Sequence, residues 1–508
     1  MRRGSKALST LAALALAGGA LAAGSASAST DTTEPSSDET MGTDMTMGTD
    51  HMGTDMTTGS DMTTGSDMTT GSDMTTGSDM AAEGDGPSAG AGSGADSGIE
   101  GADLAGTSVN ITGPENSESE AGAFDAALQA FAEETGIEIV YNGTRDFESQ
   151  IGTQVDGGNP PDIAIFPQPG KLAGFASAGQ ALAIPDDVLA SVSEQWAPTW
   201  MAFSSVDGTQ YGVPNKSDLK SLVWYVPSRF AEFGYEVPTT LDDFYALVDQ
   251  AAADGNTPLC VGIESGGATG WVFTDWTEEL LLRNQGIDYY NQWVNHEIPF
   301  NSPEVVETMQ GIADLWSAEG NVYAAAGSIV ATPFGDNGVP LVEGDCLMHR
   351  QASFFAAFLP EGTEFGDGEG QVSTFYFPSN EGQPVLVAGT SAAAFRDAPE
   401  VWAVMQYLGS SDYANARQEA QKGFAAEGAS SGFLSANLNA DLSLYTELEQ
   451  SFIELLQTGS PAGFDGSDQM PSSVGSGSFW EEATALVNGD ETAQEAADNI
   501  EESWNALG

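Results

Sequence analysis

The chain has 508 residues, two cysteines and a formal charge of -62, from 75 acidic and 13 basic side chains. A field of that sign repels nucleic acid, anionic lipid and anionic substrates, so the expected partner is uncharged. The length leaves room for two or three domains, and the Leu, Val, Phe and Trp of the later two-thirds suffice for a sizeable core.

Residues 1–28 read as a secretory signal: Arg2, Arg3 and Lys6, then an apolar run over residues 7–23, then Ala26-Ser27-Ala28. Nothing later is long and apolar enough to cross a bilayer, and no cysteine precedes Cys260. An exported protein with neither a spanning helix nor a lipid-anchor cysteine is therefore expected. Its two cysteines, Cys260 and Cys346, most economically form one disulfide in an oxidising compartment, the alternative being two buried thiols.

Residues 29–105 read as a disordered acidic linker. Between Ser29 and Asp103 there are 16 acidic residues, no basic ones, and a Thr-Thr-Gly-Ser-Asp-Met unit repeated from Thr57 to Met80. Such a composition cannot bury enough apolar surface to offset chain entropy, which suits a spacer. The evenly placed methionines also suit Cu(I), but only His51 accompanies them.

From Gly106 onward strand and helix alternate. Strands are expected over 108–112, 137–141 and 162–166, with helices over 121–134 and 147–155. That order predicts an α/β sheet with parallel neighbours, whose ligand loops follow the strand ends at 113–120, 142–146 and 167–170. A second lobe is expected beyond Pro214, with a strand over 221–226 and helices over 227–233, 240–253 and 303–318. Strands over 372–377 and 385–388 flank a loop that returns to the first lobe, and the last hundred residues read as largely helical. The expected division is 106–213 with about 378–425 as lobe 1, and 214–377 with about 426–508 as lobe 2.

Two stretches place tryptophan beside glycine and short polar residues: Gly266-Gly267-Ala268-Thr269-Gly270-Trp271-Val272-Phe273-Thr274-Asp275-Trp276, and residues 467–480 ending in Phe479-Trp480. Indole stacks on the C–H face of a sugar ring while polar groups meet its hydroxyls, which points to a neutral glycoside. Core anchoring is the competing role for each single tryptophan.

These stretches, together with Ile111-Thr112-Gly113-Pro114, residues 161–170, Lys220-Ser221-Leu222-Val223-Trp224-Tyr225-Val226-Pro227 and Met348-His349-Arg350-Gln351-Ala352-Ser353-Phe354, resemble the extracellular solute-binding proteins of ABC sugar importers, in particular the alpha-glucoside-binding branch. The resemblance spans residues 108–507. It implies a two-lobe, type II periplasmic-binding-protein-like α/β fold with hinge crossovers, closing on a saccharide in a central cleft and delivering it to a membrane permease. The sequence departs from many such receptors in lacking the lipid-bearing cysteine.

The candidate ligand-binding residues are Glu118, Arg145, Lys216, Trp224, Trp271, Asp275, Trp276, Arg350, Asp468 and Trp480. Arg145 follows the second strand, where a guanidinium can donate to adjacent hydroxyls, unless it is a surface ion pair. Glu118 follows the first strand, with helix N-terminal compensation as its alternative. Lys216, with Asp218, falls at the expected first crossover. Trp271 and Asp275 are four apart and share one helix face. Arg350 lies four residues after Cys346. No cofactor and no metal are expected, and a monomer is the expected state. Only His51, His296 and His349 exist, and no spacing joins them to serine or cysteine as a catalytic or metal-binding set. A glycoside hydrolase using paired carboxylates and an adhesin for polymeric carbohydrate remain the alternatives to a transport receptor.

Overall fold

The computed structural model describes residues 90–458 and 461–507. The expected signal, the methionine repeat and the linker as far as residue 89 lie outside them. The described residues form a single unit, built around two main sheets.

Local chemistry places the elements near their expected ranges. The strand β1 (Ser108–Gly113) leads to the helix Glu118–Thr135. Ser117 Oγ caps that helix by accepting from Glu120 N at 3.1 Å, and Gly136 ends it with φ of 73°. Phe124, Ala127 and Leu128 are buried along it. β2 (Glu138–Gly143), the helix Phe147–Asp156 and β3 (Ile163–Phe166) complete two strand–helix–strand units. β1 pairs in parallel with both β2 and β3, the arrangement that alternation implies.

The first sheet then gains β6 (Gly212–Leu219), β12 (Val385–Ala394) and β13 (Ala462–Phe464); β4 (Ser205–Val206) and β5 (Thr209–Gln210) form a separate hairpin. β12 pairs antiparallel with β3 and β6 and parallel with β13. Its register against β6 shifts between Thr390 and Ser391, so Asn215 bulges, and the Thr390 hydroxyl donates to Asn215 Oδ1 at 2.8 Å.

The second sheet contains β7 (Leu222–Tyr225), β8 (Leu259–Cys260), β9 (Val322–Tyr323), β10 (Met348–Arg350) and β11 (Ser373–Tyr376), in the order β11-β7-β10-β8-β9. Cys260 and Cys346 are bonded, with Cα atoms 5.4 Å apart, and tie β8 to the segment entering β10. Closing a loop across 86 residues constrains the unfolded chain by about 4 to 5 kcal/mol in the chain-entropy account. Each sheet has its own core: Ile111, Ile163, Trp402 and Ile453 around the first, Phe244, Trp276, Trp293 and Ile312 around the second.

The pairings correct three expected boundaries. Residues 212–219 are still part of the first sheet, so the first crossing is at Lys220–Ser221 rather than at 213. β13 pairs with β12, and Phe452, Ile453 and Phe464 pack in the first core, so the chain remains in lobe 1 to about residue 464, not 425. In both cases a strand completes its ladder before the chain leaves. Residues 90–105 are not free linker: Ala91 bridges Thr209, Ser93 N donates to Ile184 O at 2.8 Å, and Ser97 N donates to Asp187 Oδ1 at 3.0 Å. The chain therefore crosses between lobes at 220–221, between β11 and β12, and just after β13.

Candidate functional site

A cavity of about 590 Å³ lies between the lobes. Its lobe 1 wall is made by residues that follow strand ends, where α/β sheets leave backbone and side chains free to meet a ligand. Pro114 to Ser117 and Glu120 come after β1, Arg145 after β2, Pro167 and Gln168 after β3, while β6 contributes Lys216 and Asp218 and β12 contributes residues 388–390.

Charged groups dominate this wall. Lys216 Nζ lies 3.0 Å from Glu115 Oε1 and 3.7 Å from Asp218 Oδ2, and Arg417 Nη1 lies 3.1 Å from Glu115 Oε2. Burial raises the Glu115 pKa, but the Arg417 and Lys216 charges outweigh it and hold the carboxyl below its ordinary range. At Glu120, Glu148 and Asp218 burial outweighs the pull of the nearby lysines, and all three are pushed up. Just past the third crossing Asp468, on the lobe 2 side, is pushed well up by burial and by the neighbouring Asp465 charge. Raised carboxyls of this kind can donate or accept, which suits hydroxyl ligands of either polarity.

Lobe 2 presents rings. Trp271, Phe334, Phe354 and Phe358 line the cavity. Trp271 meets Phe334 edge-on at 5.2 Å and Phe354 at 6.0 Å, and Phe334 lies 5.0 Å from Phe358. Trp271 opens the helix Trp271–Gln285 after Gly270, whose φ is 111° and where a Cβ would sit 2.2 Å from Trp480 O. That close approach requires glycine and seats the indoles of Trp271 and Trp480 at one cavity. Lys216 reaches across to 5.5 Å from the Phe354 ring centroid. At the mouth, Arg145 Nη2 bridges the lobes to Glu264, 2.8 and 3.1 Å from its two oxygens.

A buried ionic network lies behind the Trp271 wall. Lys220 Nζ is 2.6 Å from Asp275 Oδ1 and also bonds Asp465; Arg350 Nη1 is 3.0 Å from Asp275 Oδ2 and Nη2 bonds Glu279. Arg283 bonds Glu279 and donates to Phe377 O at 2.7 Å and Pro378 O at 2.9 Å. Ser221 Oγ donates to Glu279 Oε1 at 2.6 Å, and Glu278 accepts from Gly466 N at 2.8 Å and Ser467 N at 2.9 Å. Burial pushes the Asp275 carboxyl up to about 6 against the pull of Lys220 and Arg350. The oxygens of Asp275, Glu278 and Asp465 gather closely enough to hold an ion, but the Lys220 ammonium bonds two of those carboxylates and is their counter-charge.

The structure brings Arg145, Lys216, Trp271, Asp468 and Trp480 to the cavity. It places the other five elsewhere. Glu118 is an exposed first-turn residue of its helix, where its charge complements the helix N-terminus. Trp224 is 0% exposed, donates its indole N–H to Gln351 O at 2.9 Å and packs beside the disulfide. Trp276 is 2% exposed, enclosed by Phe244, Trp316 and Phe377. Asp275 and Arg350 are partners in the ionic network. Sequence reading missed Glu115, Glu120, Glu148, Gln168, Lys220 and the three phenylalanines. Two signals were present: Glu115 and Gln168 occupy loops after strand ends, with Glu120 in the helical turn that follows the first, and Lys220 and Phe354 lie inside the quoted motifs.

Two lobes around a solute-sized cavity, one walled by rings and the other by hydrogen-bonding groups, define a solute receptor. The chain belongs to the bacterial extracellular solute-binding proteins, whose family profile matches residues 116–415. The family binds solutes and is not one of enzymes. Membership in an extracellular family accords with export, and no helix among the described residues is long and apolar enough to cross a membrane. The osmoprotective compounds-binding protein GgtB of Synechocystis sp. is 39% identical over 387 residues, 75% of this chain and 88% of its own. The alpha-glucosides-binding periplasmic protein AglE of Rhizobium meliloti is 36% identical over 424 residues, 80% of this chain and 89% of its own. Among solved structures, the bacterial solute receptor AcbH, described with an exclusive preference for β-D-galactopyranose, superposes with TM-score 0.64 at 18% identity over 79% of this chain and 99% of its own. Maltose-bound MalE3 of T. maritima gives 0.60 at 15% identity over 79% and 100%. At such identities the two structures speak to the shared two-lobe fold alone.

Proposed function

We propose that the protein is the extracellular receptor of an ABC carbohydrate importer, capturing a neutral alpha-glucoside or short oligosaccharide as a monomer and delivering it to a membrane permease. The observation that carries this reading is the pairing of walls: the rings of Trp271, Phe334 and Phe354 face Glu115, Glu120, Lys216 and Asp218 across one cavity. A saccharide has both the C–H faces and the hydroxyls that such walls accept. The relation to AglE supports the alpha-glucoside class. In this reading Lys216, Trp271, Asp468 and Trp480 contact the ligand, joined by Glu120, Glu148 and Lys220, while Arg145 latches to Glu264 at the mouth.

Calorimetric titration of the protein with maltose, trehalose, sucrose and maltotriose tests it. Saturable one-to-one binding of at least one of them, without turnover of a nitrophenyl glucoside, is the expected result. Binding of none overturns the ligand class, turnover points to a hydrolase, and preference for insoluble polysaccharide points to an adhesin.

A further inference from the structure

Three chain crossings join the lobes, and the helix Trp271–Gln285 holds all three: Ser221 through Glu279, Phe377 and Pro378 through Arg283, and residues 466–467 through Glu278. These contacts fasten each crossing to lobe 2, and Ser221 Oγ also accepts from Leu386 N of β12 at 2.8 Å. Lys220 differs from them in spanning the lobes with a charge. Its Nζ bonds Asp275, which lies on the lobe 2 helix, and Asp465, which directly follows β13 of the first sheet and whose N–H donates to Val387 O at 2.8 Å. A single ammonium on the first crossing therefore spans a lobe 2 carboxylate and a lobe 1 carboxylate at the third. Among the cations of the network it is also the one that borders the cavity, 5.3 Å from the centroid of the Trp271 ring.

We propose that Lys220 is the positioning residue of the hinge, pinning the first and third crossings together and so setting how far the lobes separate. Rotation of one lobe against the other about these crossings has to part Nζ from one of its two carboxylates. The Lys220 side chain is 6% exposed and its partners are 1% and 2% exposed, so water does not replace the lost partner as it does for a surface pair, and separation is correspondingly costly. Trp271, stacked against the same ammonium, connects the cavity wall to that pin.

The test is the lobe-to-lobe distance distribution of the full chain, measured by pulsed electron resonance between spin labels on Glu133→Cys and Asp249→Cys, both exposed and one on each lobe. No sugar is added, so the outcome is separate from the success or failure of the ligand reading. Lys220→Met should at least double the width of the distribution, and Lys220→Arg should restore it. The double variant Lys220→Met with Asp465→Asn removes the pair without stranding a buried charge, and serves if the single variant fails to fold. A double variant that melts as a folded protein and keeps the native distribution overturns the proposal, as does a Lys220→Arg variant as broad as Lys220→Met.

Discussion

Lobe 1 meets the cavity with carboxyls, amides and an ammonium carried on strands and the loops after them, whereas lobe 2 meets it chiefly with two tryptophans and three phenylalanines. The difference follows from how each lobe is built. Parallel strands ending at one edge leave loops whose polar groups are free to face a ligand. Lobe 2 instead carries its rings on helices that pack them against one another, Trp271 edge-on to Phe334 and Phe334 tilted against Phe358. The lobes thus divide recognition: one wall reads hydroxyls, the other gives area and shape.

The largest effect expected separates the aromatic wall from the core behind it. Trp276 is one turn and a half along the same helix from Trp271, but it is enclosed by Phe244, Trp316 and Phe377. Trp276→Ala should lower stability by about 3 to 5 kcal/mol, with sugar affinity of the folded fraction retained. Trp271→Ala should weaken binding by about 2 kcal/mol, the scale of a stacking anchor, with little change in melting temperature. Thermal denaturation and titration on both variants decide the matter. If the two patterns are exchanged, the ring wall has been assigned to the wrong tryptophan.

Those two residues also show how far the sequence could be read. Alternation of strand and helix, the helix start at Trp271 and the cysteine pair were legible because they depend on local patterning and on residue count. The ligand loops after β1, β2 and β3 were legible from the same rule, yet within the first of them the choice of Glu118 over Glu115 and Glu120 was not. Phase around the helix capped by Ser117 turns Glu120 inward and Glu118 outward, while Glu115, ahead of the cap, is held in by Lys216 and Arg417, partners from elsewhere in the fold. Nor does spacing distinguish Trp271 from Trp276, or reveal that Arg350 and Asp275 satisfy each other, because burial by Phe377 and pairing across 75 residues are tertiary facts. The first crossing was set too early because β6 is buried throughout and rich in polar residues, so it reads as hinge although it is a paired strand.

The polar wall and the network behind it make a pH prediction. Burial raises the carboxyls of Glu120, Glu148, Asp218 and Asp468, and brings Asp275 to about 6. Their unfolded counterparts titrate near 4, so through this window the folded protein binds more protons than the unfolded chain and gains stability as pH falls. Glu115 and Glu279 are held low by their cations and act in the opposite sense, losing their contribution as pH drops below about 4. His349, held neutral by burial with a pKa of about 4, opposes this gain below pH 6.5. The raised carboxyls outnumber it, so the melting temperature should be higher at pH 5.5 than at pH 7.5 and fall again in stronger acid. A steady decline from pH 7.5 downward would mean that the wall's carboxyls are better paired than their burial suggests.

The smallest effect expected is at the mouth, where the two walls touch. Arg145 crosses from lobe 1 to Glu264 on lobe 2, and Glu264 is itself steadied by Gly266 N at 2.9 Å. The Arg145 side chain is 56% exposed, so the pair is screened and contributes under about 1 kcal/mol to holding the lobes together. Arg145→Ala should speed release of a bound sugar only a few-fold in dilute buffer, and the difference should shrink in 1 M salt, where the native pair is screened as well. Stopped-flow release rates at two salt concentrations distinguish a latch from a ligand contact. A loss of a hundredfold or more that persists in high salt would place the guanidinium on the sugar's hydroxyls, because a direct bond inside the closed cleft is shielded from the ions that weaken a bridge at its rim.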